Sequence, residues 1–142
     1  MNAVVTQVSC VDIVQVSTPG PQGPQGAPGL NGPVLVSVSA TLPSSANNYA
    51  PSGYIGGSTN RLLLTPFGGG STLTGLSSSM VTDNWEVFIY NQSATDVIDF
   101  LHLSASSTAA NRFSCPQGQT AQLASLTGVL LRYITSVGWV FA

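Results

Sequence analysis

The sequence predicts an all-β protein, with a trimeric head of the antiparallel β-sandwich or jelly-roll type. A short collagen-like triple helix and an extended N-terminal arm precede this head. Three observations lead to the prediction. Short β-branched and aromatic runs alternate with turn residues through residues 34–142. Glycine occupies every third position from Gly20 to Gly32. Residues 1–18 alternate apolar and polar side chains. We therefore divide the chain into an arm (1–18), a rod (19–33) and a head (34–142).

The arm has the near period-two alternation of a strand, with a slip at Ile13-Val14 that predicts a bend or bulge. A strand without a partner leaves its backbone N–H and C=O groups unpaired, so this segment needs another chain or a host protein. We expect it to attach through its apolar side chains, which are Val4, Val5, Val8, Val11, Ile13, Val14 and Val16.

The rod is a run of four complete Gly-X-Y triplets with proline at X or Y. Only glycine fits at the axis where three chains of a triple helix meet, so this spacing predicts a homotrimer. Fully extended, the segment would span about 40 Å. The alternative is a disordered Pro/Gly linker, because four triplets are too few to hold a trimer unaided. A triple helix here therefore requires the flanking segments to trimerise as well. The predicted axial residues are Gly20, Gly23, Gly26, Gly29 and Gly32.

The head consists of short segments with strand character and no segment with helical periodicity. Residues 85–90 alternate bulky side chains most clearly, and residues 61–64 are a short apolar run that ends before Pro66. Turn signals recur between the segments, as at Gly68-Gly69-Gly70. We find no internal repeat beyond the triplets, and this pattern favours an antiparallel sandwich or jelly roll. The other predicted strands are 34–40, 97–103, 121–126, 129–134 and 139–141.

Composition limits the partners. Charged residues make up 6% of the chain, against a typical ~25%. Together with 43% apolar residues, this indicates that copies of the chain or a larger assembly cover much of the surface, although a neutral Ser/Thr/Asn/Gln surface would also explain it. Three arginines and a net charge of −2 argue against nucleic acid. No apolar run approaches ~18 residues, so we expect no membrane span, and the N-terminus makes a poor signal peptide. We expect Cys10 and Cys115 to be free, buried thiols.

Residues for catalysis or cofactor binding are sparse. The one histidine, His102, lies in an apparent strand, and a Ser-His-Asp arrangement with Asp96 or Asp99 has no supporting motif. The glycine run at 68–70 cannot form a phosphate-binding loop, because the chain contains no lysine. We therefore expect no enzyme activity, no cofactor and no metal site. Tyr49 and Tyr54 lie in a loop-like stretch and are the candidates for an exposed contact with a receptor or a sugar.

The order of these segments resembles fibre and decoration proteins of tailed bacteriophages. An apolar arm and a Gly-Pro-Gln-rich run precede a β head. Within the head, residues 84–91 resemble the "W-x-V-x-I-x-N" strand of such domains, residues 112–119 their "F-x-x-P-x-G" turn, and residues 129–141 their closing hairpin. The resemblance covers about half of the chain. It implies a trimeric β head that points outward from a virion, with the N-terminal segment docked onto it. The short length and low charge favour a head fibre or capsid cement protein over a long tail fibre.

The leading hypothesis is a non-enzymatic virion protein, made in the bacterial cytoplasm and located on the capsid surface. Its partners would be two further copies of itself and the major capsid protein or another virion protein. The second hypothesis is a receptor-binding tip that recognises a bacterial surface glycan or protein through loop aromatics. A third is a bacterial collagen-like surface protein with a head similar to the trimeric tumour-necrosis-factor fold.

Overall fold

Strands account for the regular structure of the computed structural model, which describes residues 35–142. These residues belong to one compact unit. The arm and the rod, including the seven attachment residues and the five axial glycines, lie outside the described residues. Two short 3₁₀ turns, Ala109–Asn111 and Pro116–Gly118, interrupt the strands. The strands are β1 (Val36–Thr41), β2 (Ser45–Ala46), β3 (Thr59–Thr65), β4 (Ser71–Leu73), β5 (Glu86–Asn91), β6 (Ile98–Phe100), β7 (Phe113–Ser114), β8 (Ala121–Leu123), β9 (Gly128–Ile134) and β10 (Gly138–Phe141).

The strands form two sheets that wind as a β-solenoid. The first has the order β1-β3-β5-β9-β10-β7 and the second the order β2-β4-β6-β8. Within them, β1, β3 and β5 run parallel, and so do β2, β4 and β6. Each of the first three coils therefore contributes one strand to each sheet. Equivalent positions recur one coil later, as in the aligned set Ala46, Leu73 and Phe100, with a period inside the roughly 20–50 residues typical of solenoids.

The core lies between the two sheets and is built from stacked side chains of successive coils. Val38, Leu62 and Ile89 are paired across β1, β3 and β5, and all three are buried. Since alternate residues of a strand point to opposite faces, these positions define the inward face of the first sheet. The fully enclosed side chains also include Leu42, Leu64, Leu73, Leu76, Val87, Ile98, Phe100, Phe113, Leu131 and Trp139.

Antiparallel strands close the C-terminal end of the solenoid. β9 pairs antiparallel with β5, β10 pairs with β9, and β8 pairs antiparallel with β6. Trp139 of β10 is completely buried, and its indole Nε1–H donates a hydrogen bond to the carbonyl of Leu76 at 2.8 Å. The Tyr133 ring packs against it with a centroid separation of 5.2 Å. These strands act as a cap, which solenoids need because each coil contacts only its neighbours.

The prediction of an all-β head is confirmed, but the antiparallel sandwich or jelly-roll arrangement is wrong. The strands of the first three coils pair in parallel with strands one coil away, so the long connections run around the solenoid. The tumour-necrosis-factor alternative, which requires a jelly roll, loses its basis with this finding. The head shows no repeat in its sequence, but its first three coils repeat in structure.

Most of the predicted strands are present, and the missed ones are the shortest. β1, β3, β5, β9 and β10 lie within or overlap their predicted segments, whereas the segments at 97–103 and 121–126 are shorter than expected. β2, β4 and β7 were missed because they are only two or three residues long, and β2 and β4 also lie beside Pro43 and the glycine run at 68–70. Proline and glycine residues of this kind predict turns rather than strands.

Candidate interaction surface

The outward side of the first sheet, which we call the outer face, consists of the side chains of β1, β3, β5 and β9 that alternate with the buried ones. It carries an apolar strip over β3, β5 and β9, which is bordered by serines of β1 and by Arg61. Leu63, Phe88, Tyr90 and Leu130 are only half-buried there, although they are large and apolar. The register places the outward side chains in two rows across the sheet, one formed by Ser37, Arg61, Phe88 and Leu130, the other by Ser39, Leu63, Tyr90 and Gly128.

A groove of about 410 Å³ crosses the outer face near the start of β1. Leu35, Trp85, Phe88 and Leu130 supply most of its apolar lining. Leu35 is 71% exposed, so a large aliphatic side chain stands in solvent at the first described position of the head. Single exposed apolar side chains are normal, but several in one contiguous strip indicate a surface that contacts a partner.

The Phe88 ring is held flat on this face by two neighbours. Gly128 of β9 is in register with Tyr90, in the row next to that of Phe88. A Cβ atom at Gly128 would overlap the Phe88 ring. The absence of a side chain at Gly128 therefore lets the ring lie down over β9. On the other side, the Arg61 guanidinium carbon is 5.9 Å from the ring centroid, within the range of a cation–π contact. The ring contributes a flat surface to the outer face.

Two of the formal charges on this face form an ion pair, and the third, on Arg61, lies against an aromatic ring. Arg132 Nη2 is 2.7 Å from Glu86 Oε1, and Arg132 Nε also donates to that oxygen at 3.0 Å. Both side chains are partly exposed, so this ion pair adds little to the stability of one chain. Its consequence is electrostatic: the pair has no net charge, and Arg61 lies against an aromatic face. An apolar partner would meet no unmatched carboxylate from these residues.

The outward side of the second sheet is different. Its register places Ser45, Thr72, Asp99 and Gln122 in one row across β2, β4, β6 and β8. Gln122 Nε2 donates a hydrogen bond to Asp99 Oδ1 at 3.0 Å on this exposed side. The second sheet therefore presents polar side chains, which solvent satisfies, while the first presents apolar ones. Of the two outward sheet faces in residues 35–142, the first is the one suited to burial.

The two tyrosines that were predicted as an exposed contact are half-buried and pack against the core. The Tyr54 hydroxyl donates a hydrogen bond to the carbonyl of Ser77 at 2.9 Å. Burial raises the pKa of both Tyr49 and Tyr54 above the ordinary value. A pocket of about 210 Å³ beside Tyr54 is also lined by Ile55 and Met80, which are 53% and 77% exposed. The contact role of the tyrosines stays a prediction, and the exposed apolar groups in this loop region are Ile55 and Met80.

His102 is part of a local backbone connection. Its Nδ1 accepts a hydrogen bond from the backbone N–H of Cys115 at 3.0 Å, which joins the end of the third coil to β7. Cys115 is a free, buried thiol, as predicted, and its Sγ lies 3.3 Å from the carbonyl oxygen of Phe100. Burial raises the pKa of this thiol. Cys10 lies outside the described residues.

Two further findings concern residues 35–142 alone. No group of three or more His, Cys, Asp or Glu side chains in this range is arranged to hold a metal ion. None of its helical segments has the length and apolar character needed to cross a bilayer.

Leu63, Phe88 and Leu130 of the outer face were not singled out in the sequence, yet a signal for them is present. Leu62-Leu63-Leu64 and Phe88-Ile89-Tyr90 are apolar without a break, and strands with apolar side chains on both faces are typically covered on both sides. Comparisons of the chain with protein-family models, with curated proteins and with solved structures gave no match.

Proposed function

We propose that this chain is a non-enzymatic structural protein of a bacteriophage virion, a homotrimeric head fibre or capsid decoration protein that is anchored by residues 1–18. The observation that carries the proposal is the junction of a strict Gly-X-Y run with an all-β head. The last axial glycine, Gly32, is followed within three residues by Leu35, the first described residue of the solenoid. A required glycine at every third position has its physical reason in a three-chain axis.

Each segment has a mechanical role in this proposal. The arm, rich in β-branched residues, adds to the capsid by strand pairing and apolar burial. The rod holds three arms at one end and three heads at the other. Three weak attachments that act together raise the overall affinity by about 10²–10⁴ over a single one when the geometry permits simultaneous contact. A protein that bridges neighbouring coat subunits in this way stabilises the shell, as a cement protein does.

Deletion of residues 2–16 tests the attachment role. We expect the deleted protein to be absent from purified virions, because the apolar side chains that bind the capsid have been removed. A matched control deletes residues 23–25, which shortens the rod by one triplet and keeps the glycine period; this protein should still be incorporated. Copy number per virion is measured by quantitative mass spectrometry, and virion survival is measured after heating. Equal occupancy of the arm-deleted and full-length proteins would reject attachment through the arm.

A second candidate function is a receptor-binding tip, and one observation favours it. Ile55 and Met80 are exposed side by side at the pocket near Tyr54, in the loops that follow β2 and β4. Under this alternative, the intact protein binds host cells directly, and Met80→Asp abolishes that binding. Leu126→Asp, which introduces the same charge at another exposed apolar residue, would leave it unchanged. Intact protein that does not bind cells, together with virions that lose heat resistance without it, would support the decoration role.

A further inference from the structure

We propose that the outer face of the first sheet is the surface through which three copies of the head meet, with Leu35 next to the threefold axis. This inference rests on the proposed homotrimer, and it adds which side of the head the copies share. The occupant of the apolar groove is thus a second copy of this chain. Three independent features of the described residues and of the chain that enters them support the assignment.

The first is covalent reach. In a triple helix the three copies of Gly32 meet at the axis. Leu35 is three residues further along the chain, and three extended residues span at most about 10 Å. If the rod is a triple helix, each Leu35 lies within about that distance of its own axial glycine, so the three copies of Leu35 are close together. The part of the head around Leu35 is then close to the axis and to the other two chains.

The second is the composition of that side. Leu35 lines the same groove as Phe88 and Leu130, so the residue closest to the axis is contiguous with the apolar strip of the outer face. The outward row of the second sheet, in contrast, is made of hydroxyl, carboxylate and amide groups. Association that buried the second sheet would remove polar groups from water without evident partners, which is costly. Association through the outer face removes apolar surface from water.

The third is electrostatic. Three identical faces around an axis bring like residues together, so any unmatched charge would be repeated three times. On the outer face Glu86 is bonded to Arg132 within each copy, and Arg61 lies against the Phe88 ring. These arrangements exist before association. The ion pair therefore adds no net charge to the contact. Arg61 keeps its positive charge and is exposed, so we assign it, with the ion pair, to the polar margin of the contact.

The experiment is sedimentation equilibrium of the full-length chain with matched substitutions. Leu35→Asp places a carboxylate beside the axis, and we expect the trimer to dissociate, with a dissociation constant raised roughly a hundredfold or more for the loss of several buried leucine contacts. Leu126→Asp is the control, because Leu126 is also exposed, at 56%, but lies on the turn before β9. Circular dichroism verifies that both variants keep the β head, since neither side chain belongs to the buried core.

Cross-linking supplies a second measurement that does not depend on weakening the protein. In a Cys10→Ser background, Leu35→Cys should give covalent dimers with a short bismaleimide, because each chain then has one accessible thiol and Cys115 is buried, whereas Leu126→Cys should give monomers. Wild-type protein that sediments as a monomer would overturn the homotrimer and this inference with it. A wild-type trimer that persists in Leu35→Asp, with no cross-linking through Leu35→Cys, would overturn the assignment of the face and leave the homotrimer standing.

Discussion

Asn91 allows a quantitative test of how the third coil is held together. It is fully buried at the end of β5, in register with Leu64 of the coil before. Its Nδ2 group donates hydrogen bonds to the carbonyls of Asp96 at 2.8 Å, Ala124 at 3.1 Å and Leu123 at 3.3 Å. Its Oδ1 accepts the backbone N–H of Ser93 at 3.0 Å. One amide thus connects β5 with the turns that follow β5 and β8.

Asn91→Leu keeps the number and branching of the side-chain heavy atoms but removes all four hydrogen bonds. The Ala124 carbonyl retains the Thr127 hydroxyl as a donor at 2.7 Å, so it is not left without a partner. The carbonyls of Asp96 and Leu123 and the Ser93 N–H lose the side-chain partner that Asn91 provides. An unsatisfied buried group costs about 1–3 kcal/mol, and Asp96 and Ser93 are only half-buried, so we expect a total loss of about 3 kcal/mol in the free energy of unfolding. For a head of this size that lowers the melting temperature by roughly 10–20 °C.

Asn91→Asp adds a pH dependence whose sign can be worked out. The introduced carboxyl group would face three carbonyl oxygens in a buried site, so its pKa in the folded protein lies above the unfolded value of about 3.9. A raised carboxyl pKa favours the protonated form. The stability of this variant is therefore greatest below about pH 4 and falls as the pH rises toward the folded pKa, by about 1.4 kcal/mol per pH unit. Above the pKa of the folded state, the carboxyl group is ionised in both the folded and the unfolded protein, so the free energy of unfolding no longer falls with pH.

The assay is thermal unfolding by circular dichroism between pH 3 and pH 8 at one protein concentration, since association would otherwise change the apparent stability. Gln92→Glu is the matched control: it makes the same amide-to-carboxyl change at the next residue, which is exposed. We expect the control to follow the wild-type profile. If Asn91→Asp and Gln92→Glu shift the melting temperature equally at every pH, then the buried amide does not hold the coil in the way described.

Three further predictions concern close packing, a buried indole and the thiol. Gly75→Ala should lower the free energy of unfolding by about 1–3 kcal/mol in urea titrations, because its Cβ would lie 2.5 Å from the carbonyl oxygen of Asn111, whereas Gly68→Ala, with no atom within 4 Å, should change it little. Trp139→Phe leaves the buried Leu76 carbonyl without its indole donor and should cost about 2–3 kcal/mol by the same titration. In a Cys10→Ser background, Cys115 should react with a thiol reagent at least tenfold more slowly in the folded than in the urea-unfolded protein, measured by absorbance, because burial raises its pKa and blocks access.

The longer strands of the head were predictable from the sequence, because each follows a local pattern. Residues 85–90 alternate bulky groups, and the register confirms that Val87 and Ile89 point inward. The way the strands wind was not predictable in the same way. The equivalent inward positions of the three coils hold Ala40, Leu64 and Asn91, which share neither size nor polarity. A solenoid that repeats its geometry without repeating its residues leaves no period for sequence comparison to detect.

The interaction surface shows the same division between local and tertiary information. A run such as Leu62-Leu63-Leu64 indicates that both sides of a strand are apolar, but it does not say which strands lie beside it. Only the register shows that Leu63 is followed by Tyr90, and that Leu130 stands next to Phe88, so that separate apolar runs join into one strip. The two tyrosines show that local surroundings can also suggest an exposed contact where tertiary packing buries part of the side chain. Tyr49 and Tyr54 were selected for their loop-like surroundings, and tertiary packing half-buries both.

Trimerisation and the stability of the head should be coupled, because the two ends of the solenoid differ. The C-terminal end is closed by β9 and β10, whereas β1 has a single neighbour, β3, in the described part of the first sheet. A solenoid without a cap is least stable at its open coil, and Leu35 leads directly into that coil. Contact between copies at this end would hold β1 in place.

The melting temperature of the full-length protein should therefore rise with protein concentration, as for any equilibrium in which association favours the folded state. Leu35→Asp should lower the melting temperature and abolish its concentration dependence, while Leu126→Asp should preserve both. A wild-type melting temperature that is the same over a hundredfold range of concentration, in a protein shown to dissociate within that range, would mean that the first coil is stable without its neighbours.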